Sequence, residues 1–307
     1  FIDQFVEVTS KAALSSYYLI GKKDKVAADK AAVDSMRNEL NKLEINGEIV
    51  IGEGELDEAP MLYIGEKVGT TNGPEIDIAV DPLEGTNFAA NNLPGALSVI
   101  AIAEKNNIFN APETYMEKIS AKVSEKGVID LDYSVKKNIL NLSEYLNKKP
   151  ESITACIMDR PRHKDIINEL NKLNVNIKLI TDGDVSGALL VTEDKYNVDI
   201  FLGIGGGPEG VLASAALDTF NCFFQARFLF DTEHDKMRAS KMGITDFKKK
   251  YDLNEIVKGD SIFCATGITT GDLVSGIKIQ NNEFISETLV THKSSSVKKI
   301  IKKIVNR

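Results

Sequence analysis

The sequence predicts an α/β protein, α+β in its first half and regularly alternating α/β in its second. Three observations carry that assignment. Apolar residues near the N-terminus recur at helical spacing, short apolar runs then end on turn residues and acids, and from residue 153 strand-like and helix-like segments alternate.

Phe5, Val8, Ala12 and Leu14 mark a first helix ending near Gly21. Ala32, Met36, Leu40 and Leu43 share one face of a second, expected over 26–43. Residues 48–51, 76–80 and 97–103 read as strands. The later rhythm runs strand 153–158, helix 164–173, strand 177–180, helix 185–191, strand 199–202 and helix 211–217. It implies parallel strands joined by helical crossovers. No flexible linker marks a boundary, and a division near Pro150 is expected: an α+β half at 1–150 and an α/β half at 151–307. Residues 294–307 read as a capped amphipathic helix. Val297, Ile300, Ile301 and Ile304 would face inward, and Lys298, Lys299, Lys302 and Lys303 outward.

With 43% hydrophobic and 27% charged residues among 307, the composition is that of a soluble enzyme with a sizeable core. The net charge of −8 weighs against a nucleic-acid partner, which needs a clustered positive surface. No apolar run reaches the ~20 residues that span a bilayer, so no membrane partner is expected. Asp3, Glu7 and Lys11 interrupt the N-terminal apolar residues, which do not read as a secretion signal. Cys156, Cys222 and Cys264 are far apart and form neither a disulfide framework nor a metal clip. They read as small buried hydrophobes in a cytoplasmic protein.

The chemistry-bearing residues are mostly carboxylates. Ile49-Val50-Ile51-Gly52-Glu53-Gly54-Glu55 is an apolar strand ending in acids between glycines. Asp77-Ile78-Ala79-Val80-Asp81-Pro82-Leu83-Glu84-Gly85-Thr86 repeats that plan. Pro82 fixes its own φ and restrains Asp81 toward extended geometry. Gly85 and Thr86 offer backbone N–H groups and a hydroxyl. One acidic loop is commonplace; two strand-end clusters packed among apolar strands are costly without a cation. With only His163, His234 and His292 present, hard oxygen donors point to Mg²⁺ or Mn²⁺ rather than zinc.

A rival reading comes from Gly203-Ile204-Gly205-Gly206-Gly207-Pro208-Glu209-Gly210. Gly205, Gly207 and Gly210 satisfy the GxGxxG spacing between a strand and a helix, and Asp231 lies 21 residues beyond Gly210. Those are parts of a dinucleotide fingerprint, so a nucleotide-dependent oxidoreductase competes. Glu209 counts against it, since its charge would sit where pyrophosphate should bind. That reading also leaves both acid clusters unused.

Several strings together resemble a known family. They are Gly52-Glu53-Gly54-Glu55-Leu56-Asp57-Glu58-Ala59-Pro60-Met61-Leu62-Tyr63-Ile64-Gly65-Glu66, Asp81-Pro82-Leu83-Glu84-Gly85-Thr86, Asn110-Ala111-Pro112-Glu113-Thr114-Tyr115-Met116-Glu117-Lys118, Asp182-Gly183-Asp184, the 203–210 loop, and Ala265-Thr266-Gly267-Ile268-Thr269. The chain resembles the class II fructose-1,6-bisphosphatases of the lithium-sensitive, metal-dependent phosphatase superfamily. The resemblance implies a layered α-β-α-β-α sugar-phosphatase fold and hydrolysis of the 1-phosphate of fructose 1,6-bisphosphate, a step of gluconeogenesis. Sedoheptulose 1,7-bisphosphatase and inositol-monophosphatase-like activities are its alternatives. A non-catalytic phosphosugar-binding protein should lack one of the acids, and none is missing.

By matching positions, Asp29, Glu53, Asp81, Glu84 and Glu209 resemble the metal ligands, holding two or more Mn²⁺ or Mg²⁺ ions. Substrate contacts would fall on Glu84, Gly85, Thr86, Tyr115, Arg160, Pro161, Arg162, Asp182, Gly183, Asp184 and Gly206. Thr86, with Asp29, would position the attacking water, and Lys25 and Asp57 are further active-site candidates. A homo-oligomer, dimer or tetramer, is expected. The chain departs from the family at Arg160, where lysine is expected, and around 227–242 and the C-terminal tail.

Overall fold

The computed structural model describes residues 1–53 and 62–306. The chain opens with α1 (Ile2–Tyr17), α2 (Lys25–Leu40), β1 (Asn46–Ile51), β2 (Lys67–Val68), β3 (Glu75–Glu84), the short α3 (Thr86–Ala90) and β4 (Leu97–Glu104). Next come β5 (Tyr115–Ala121), α4 (Val135–Tyr145), β6 (Thr154–Met158), α5 (Lys164–Lys172), β7 (Asn176–Ile180), α6 (Asp184–Leu189), β8 (Ile200–Gly206) and α7 (Gly207–Thr219). The remainder is β9 (Phe223–Leu229), α8 (Glu233–Lys241), β10 (Tyr251–Asp252), α9 (Leu253–Ile256), β11 (Ser261–Gly267), β12 (Lys278–Gln280), β13 (Glu283–His292) and β14 (Val297–Asn306).

The chain forms two compact units, one of Phe1–Asn110 with Val257–Arg307 and one of Ala111–Ile256. The first carries a sheet ordered β12-β13-β11-β4-β3-β1-β2, with β14 paired to β13. Helices α1 and α2 pack together and onto this sheet. The buried stripe of α2, Ala28, Ala32, Val33, Met36 and Leu40, follows its helical period. Asp24 caps the helix by accepting a hydrogen bond from Ala27 N at 2.9 Å. The second unit holds a sheet ordered β10-β9-β5-β8-β6-β7. Here β6 runs parallel to β7 and β8, as the alternation predicts, while β5 runs antiparallel to both β8 and β9. Each unit is thus a mixed α/β assembly of sheet and helices.

Two expectations are corrected. Pro150 opens a turn of 3₁₀ helix inside the second unit, so the chain does not divide there. Long-range pairing decides the point, because β5 is hydrogen-bonded between β8 and β9 and belongs with them. The C-terminal segment is strand β14, not a helix, paired over its whole length with β13. Five of its ten residues are Val or Ile, which favour a pleated, half-buried surface. Its alternation leaves Val297, Ile301, Lys303 and Val305 half-buried, and Lys298, Ile300, Lys302 and Ile304 exposed. Among the described residues no helix is long and apolar enough to cross a membrane.

The strand makes adjacent isoleucines inequivalent, where the helix would have turned both inward. Ile301→Ala should lower stability by about 1–2 kcal/mol. Ile300→Ala, at a position 46% exposed, should change it by less than about 0.5 kcal/mol. Urea unfolding midpoints of the two variants measure the difference; equal losses would contradict the strand.

Candidate active site

In the first unit, parallel pairing of β1 with β3 sets Ile51 opposite Ala79. Glu53 follows the end of β1 by two residues, and Asp81 stands two residues beyond Ala79 within β3, toward the carboxyl side of the sheet where open α/β folds place ligands. A regular strand would send Asp81 and Glu84 to opposite faces. The pairing with β4 slips between them, from Asp81 opposite Val99 to Glu84 opposite Leu97, so three steps on β3 match two on β4. That bulge resets the alternation. Glu84 is 4% exposed and Asp81 half-buried, its Oδ1 accepting Leu83 N–H at 3.2 Å. Gly85 adopts φ 76°, a left-handed conformation that favours glycine, and starts α3 with Thr86 as its first residue. Lys25 is exposed at the start of α2, and Asp29 follows one turn later, half-buried. Burial alone pushes the Asp29 carboxyl above its ordinary range.

Asp57 lies outside the described residues, as do residues 54–61 of the long acidic string. At that string's end Glu66 is used structurally. Arg37 grips it with two hydrogen bonds, Nε to Oε1 at 2.6 Å and Nη2 to Oε2 at 2.9 Å.

In the second unit the remaining candidates gather at one end of the sheet, beyond β6, β7 and β8 and at the start of β5. Arg160 and Pro161 follow β6, and Arg160 stands 3.9 Å from Asp182, which follows β7. Arg162 donates from Nε to Ile204 O at 2.9 Å, and its guanidinium lies 4.7 Å from the centre of the Tyr115 ring. Tyr115 is 48% exposed and pairs across the ladder with Gly206. Gly183, at φ 79°, leads into α6, whose first residue is Asp184. Asp184 is expected to face sugar hydroxyls, yet its Oδ2 accepts a hydrogen bond from the buried Lys118.

The glycine run has a steric cause. A Cβ on Gly205 would overlap the Asp184 carboxylate, and one on Gly206 would overlap the Glu209 carboxylate. One on Gly210 would meet Met116 Sδ at 2.5 Å and Lys118 Cδ at 3.1 Å. These glycines make room for side chains of this chain, not for a pyrophosphate. The sheet order also removes the dinucleotide reading. The strand that follows α7, β9, neighbours β5 and not β8, so Asp231 is not carried on the adjacent parallel strand that the fingerprint requires.

Glu209 lies in the first turn of α7. Its Oε2 is buried with no hydrogen-bond partner among the described residues. Burial pushes its pKa up, the Lys118 charge opposes that rise, and Asp184 adds to it. An unpartnered buried carboxylate oxygen suits a cation. Of the five carboxylates that resemble metal ligands, Asp29, Glu53, Asp81 and Glu84 belong to the first unit and Glu209 to the second. Among the described residues no three His, Cys, Asp or Glu side chains stand together as a ready cluster.

Sequence reasoning missed two residues here, Lys118 and His163. His163 is fully buried, with Nδ1 2.6 Å from Met158 O and Nε2 2.8 Å from Ile204 N. The carbonyl requires Nδ1 to donate and the amide requires Nε2 to accept, which fixes a neutral ring. It thereby pins the Arg160–Arg162 turn onto β8. The only signal in sequence is its place directly after Arg162.

Burial, with Arg162 adding to it, lowers the pKa of His163 below 6.5. Below about pH 6.5 the unfolded chain takes up a proton that the folded chain refuses. Stability is therefore full above that pH and falls as pH drops, by up to about 1.4 kcal/mol per pH unit until the folded pKa is reached. Denaturation midpoints between pH 7 and 5.5 should show this decline, and His163→Gln should flatten it.

Comparison with known proteins places the chain in a family. The family model described as bacterial fructose-1,6-bisphosphatase, glpX-encoded, matches residues 1–305. The chain is 40% identical to the D-fructose 1,6-bisphosphatase class 2/sedoheptulose 1,7-bisphosphatase of Prochlorococcus marinus (strain MIT 9301), over 94% of this chain and 91% of that protein. Identity to the protein of the same name from Synechococcus elongatus is 39%, over 97% of this chain and 94% of that one. Among solved structures, the extragenic suppressor protein suhB from Bartonella henselae shows 14% identity and a TM-score of 0.36, covering 69% of this chain and 81% of that chain. With a match that runs nearly end to end, the chain belongs to the family of bacterial class II fructose-1,6-bisphosphatases.

Proposed function

We propose that the chain hydrolyses the 1-phosphate of fructose 1,6-bisphosphate, releasing fructose 6-phosphate and inorganic phosphate, as a cytoplasmic step of gluconeogenesis. The family match over residues 1–305 carries this reading. Sedoheptulose 1,7-bisphosphate is the second substrate, because the relatives are named for both activities. The two sugars also present the same end to the site. The buried Cys156, Cys222 and Cys264 suit a reducing compartment.

The donor set fits a hard divalent cation: oxygen ligands only, with one buried oxygen of Glu209 unpartnered and Asp29 desolvated. Asp29, Glu53, Asp81, Glu84 and Glu209 would hold Mn²⁺ or Mg²⁺. Bound, such ions supply charge neutralisation at the scissile phosphate and a more acidic attacking water. The Thr86 hydroxyl, oriented by Asp29, positions that water for in-line attack, with Lys25 and Asp57 as accessory groups. Arg160 and Arg162 grip the phosphate that is not cleaved. Arg160 keeps its full charge where the family is expected to have lysine, and adds a planar fork. Tyr115 donates its hydroxyl to the same phosphate, while Asp182 and Asp184 accept from sugar hydroxyls. Gly85, Gly183 and Gly206 let the backbone approach the substrate, and Pro161 sets the turn between the arginines.

Phosphate release from fructose 1,6-bisphosphate should require Mn²⁺ or Mg²⁺ and vanish in EDTA, with no binding of NAD(H). Asp81→Ala and Glu84→Ala should each lower kcat by at least about 10³-fold with an unchanged circular dichroism spectrum. Near-normal turnover in both would end this mechanism. Glu209→Gln, which removes a carboxylate with one buried, unpartnered oxygen, should raise stability in EDTA by about 1–3 kcal/mol. The same change should abolish the Mn²⁺-dependent rise in Tm that the unaltered protein shows.

A further inference from the structure

We propose that Lys118 is a positioning residue for the substrate, acting through Asp184. This rests on the reading of Asp184 as a sugar contact. Lys118 stands in the middle of β5, between β8 and β9, and is 2% exposed. Its cross-strand neighbours are Gly203 and Ala226, small residues that leave space on both sides. Its ammonium donates to Asp184 Oδ2 and to Gly206 O, the latter at 2.6 Å. One cation thus ties the first residue of α6 to the last residue of β8, two segments that both carry substrate candidates.

The charge balance shows what the contact does. Asp184 is buried, Glu209 is half-buried with its Oε2 enclosed, and Lys118 is a cation that faces both. Direct hydrogen bonding assigns the ammonium to Asp184, leaving the Glu209 oxygen unpartnered. Asp184 is therefore held in one rotamer with one oxygen occupied, and its other oxygen stays available to accept. An ammonium is a compact point charge with three donors, and Lys118 uses at least two of them as a clamp. Substitution by an apolar side chain would leave Asp184 buried and unfixed, whereas removing both charges would leave no uncompensated charge in the Lys118–Asp184 pair, only the loss of the cation facing Glu209.

A double-mutant cycle tests this. Lys118→Met and Asp184→Asn should each raise KM for fructose 1,6-bisphosphate about 10-fold or more, with kcat within about 3-fold. The double variant should show the same KM as Asp184→Asn alone, because both changes remove one interaction. Thermal midpoints in EDTA give a readout independent of metal and activity. There each single variant should lose several degrees, and the double variant less than the two losses added. An unchanged KM in folded Lys118→Met, or KM effects that multiply in the double variant, would overturn the inference. Should Lys118→Met fail to fold, the double variant against Asp184→Asn decides: equal KM supports the role and a further rise removes it. An unaltered chain that releases no phosphate would remove the functional reading and this inference together. An active chain with multiplying effects would remove the inference alone.

Discussion

One buried ammonium facing a buried carboxylate and a half-buried one governs the second unit of this protein. Burying an ionised carboxylate without compensation is among the most expensive things a fold can do. Lys118 compensates Asp184 by a direct hydrogen bond, and Glu209 keeps an unpartnered oxygen. The glycine loop follows from that arrangement. Gly205, Gly206 and Gly210 cannot carry a Cβ, because Asp184, Glu209 and the Met116–Lys118 pair already occupy the space. The backbone is thinned where the charges crowd.

The first unit solves a different problem with simpler means. Its carboxylates stand at strand ends, and sheet geometry alone decides which can act together. Parallel register sets Ile51, two residues before Glu53, against Ala79, two before Asp81, and a bulge against β4 lets Asp81 and Glu84 serve one side. Pro82 sits inside that bulge, where the loss of a ladder N–H is harmless. Chemistry in this unit is thus set by strand offset, and in the other by how charges are paired.

Much of this was legible in the sequence, for reasons that can be named. The parallel strands β6, β7 and β8 follow from local periodicity, and the acids at the ends of β1 and β3 follow from apolar runs that stop abruptly. What stayed hidden depends on partners distant in the chain. β14 carries isoleucines at 300, 301 and 304, a spacing that suits a helix stripe, and only β13 alongside makes it a strand. The division into units was hidden because β5 is claimed by β8 and β9, far along the sequence. Lys118 was passed over because a lysine reads as solvated until strands on both sides and α6 close over it. Asp29, one turn into α2, carries no local mark at all; only the resemblance pointed to it.

The glycine-rich string is where local reading is most ambiguous, and the ambiguity has a physical limit. Strand, glycines and helix N-terminus are common to a nucleotide site and to this one, since both need a bare backbone facing something negative. What differs is the owner of the negative charge. In a nucleotide site the pyrophosphate brings it, so the loop must be free of acids and the next parallel strand must lie adjacent. Here the chain itself supplies it, through Glu209 within the loop and Asp184 beside it, and β5 separates β8 from β9. A loop that carries its own carboxylate, with a second beside it, suits a cation better than an anion. The residue type at position 209, more than the glycine spacing, therefore decides which ligand the loop can serve.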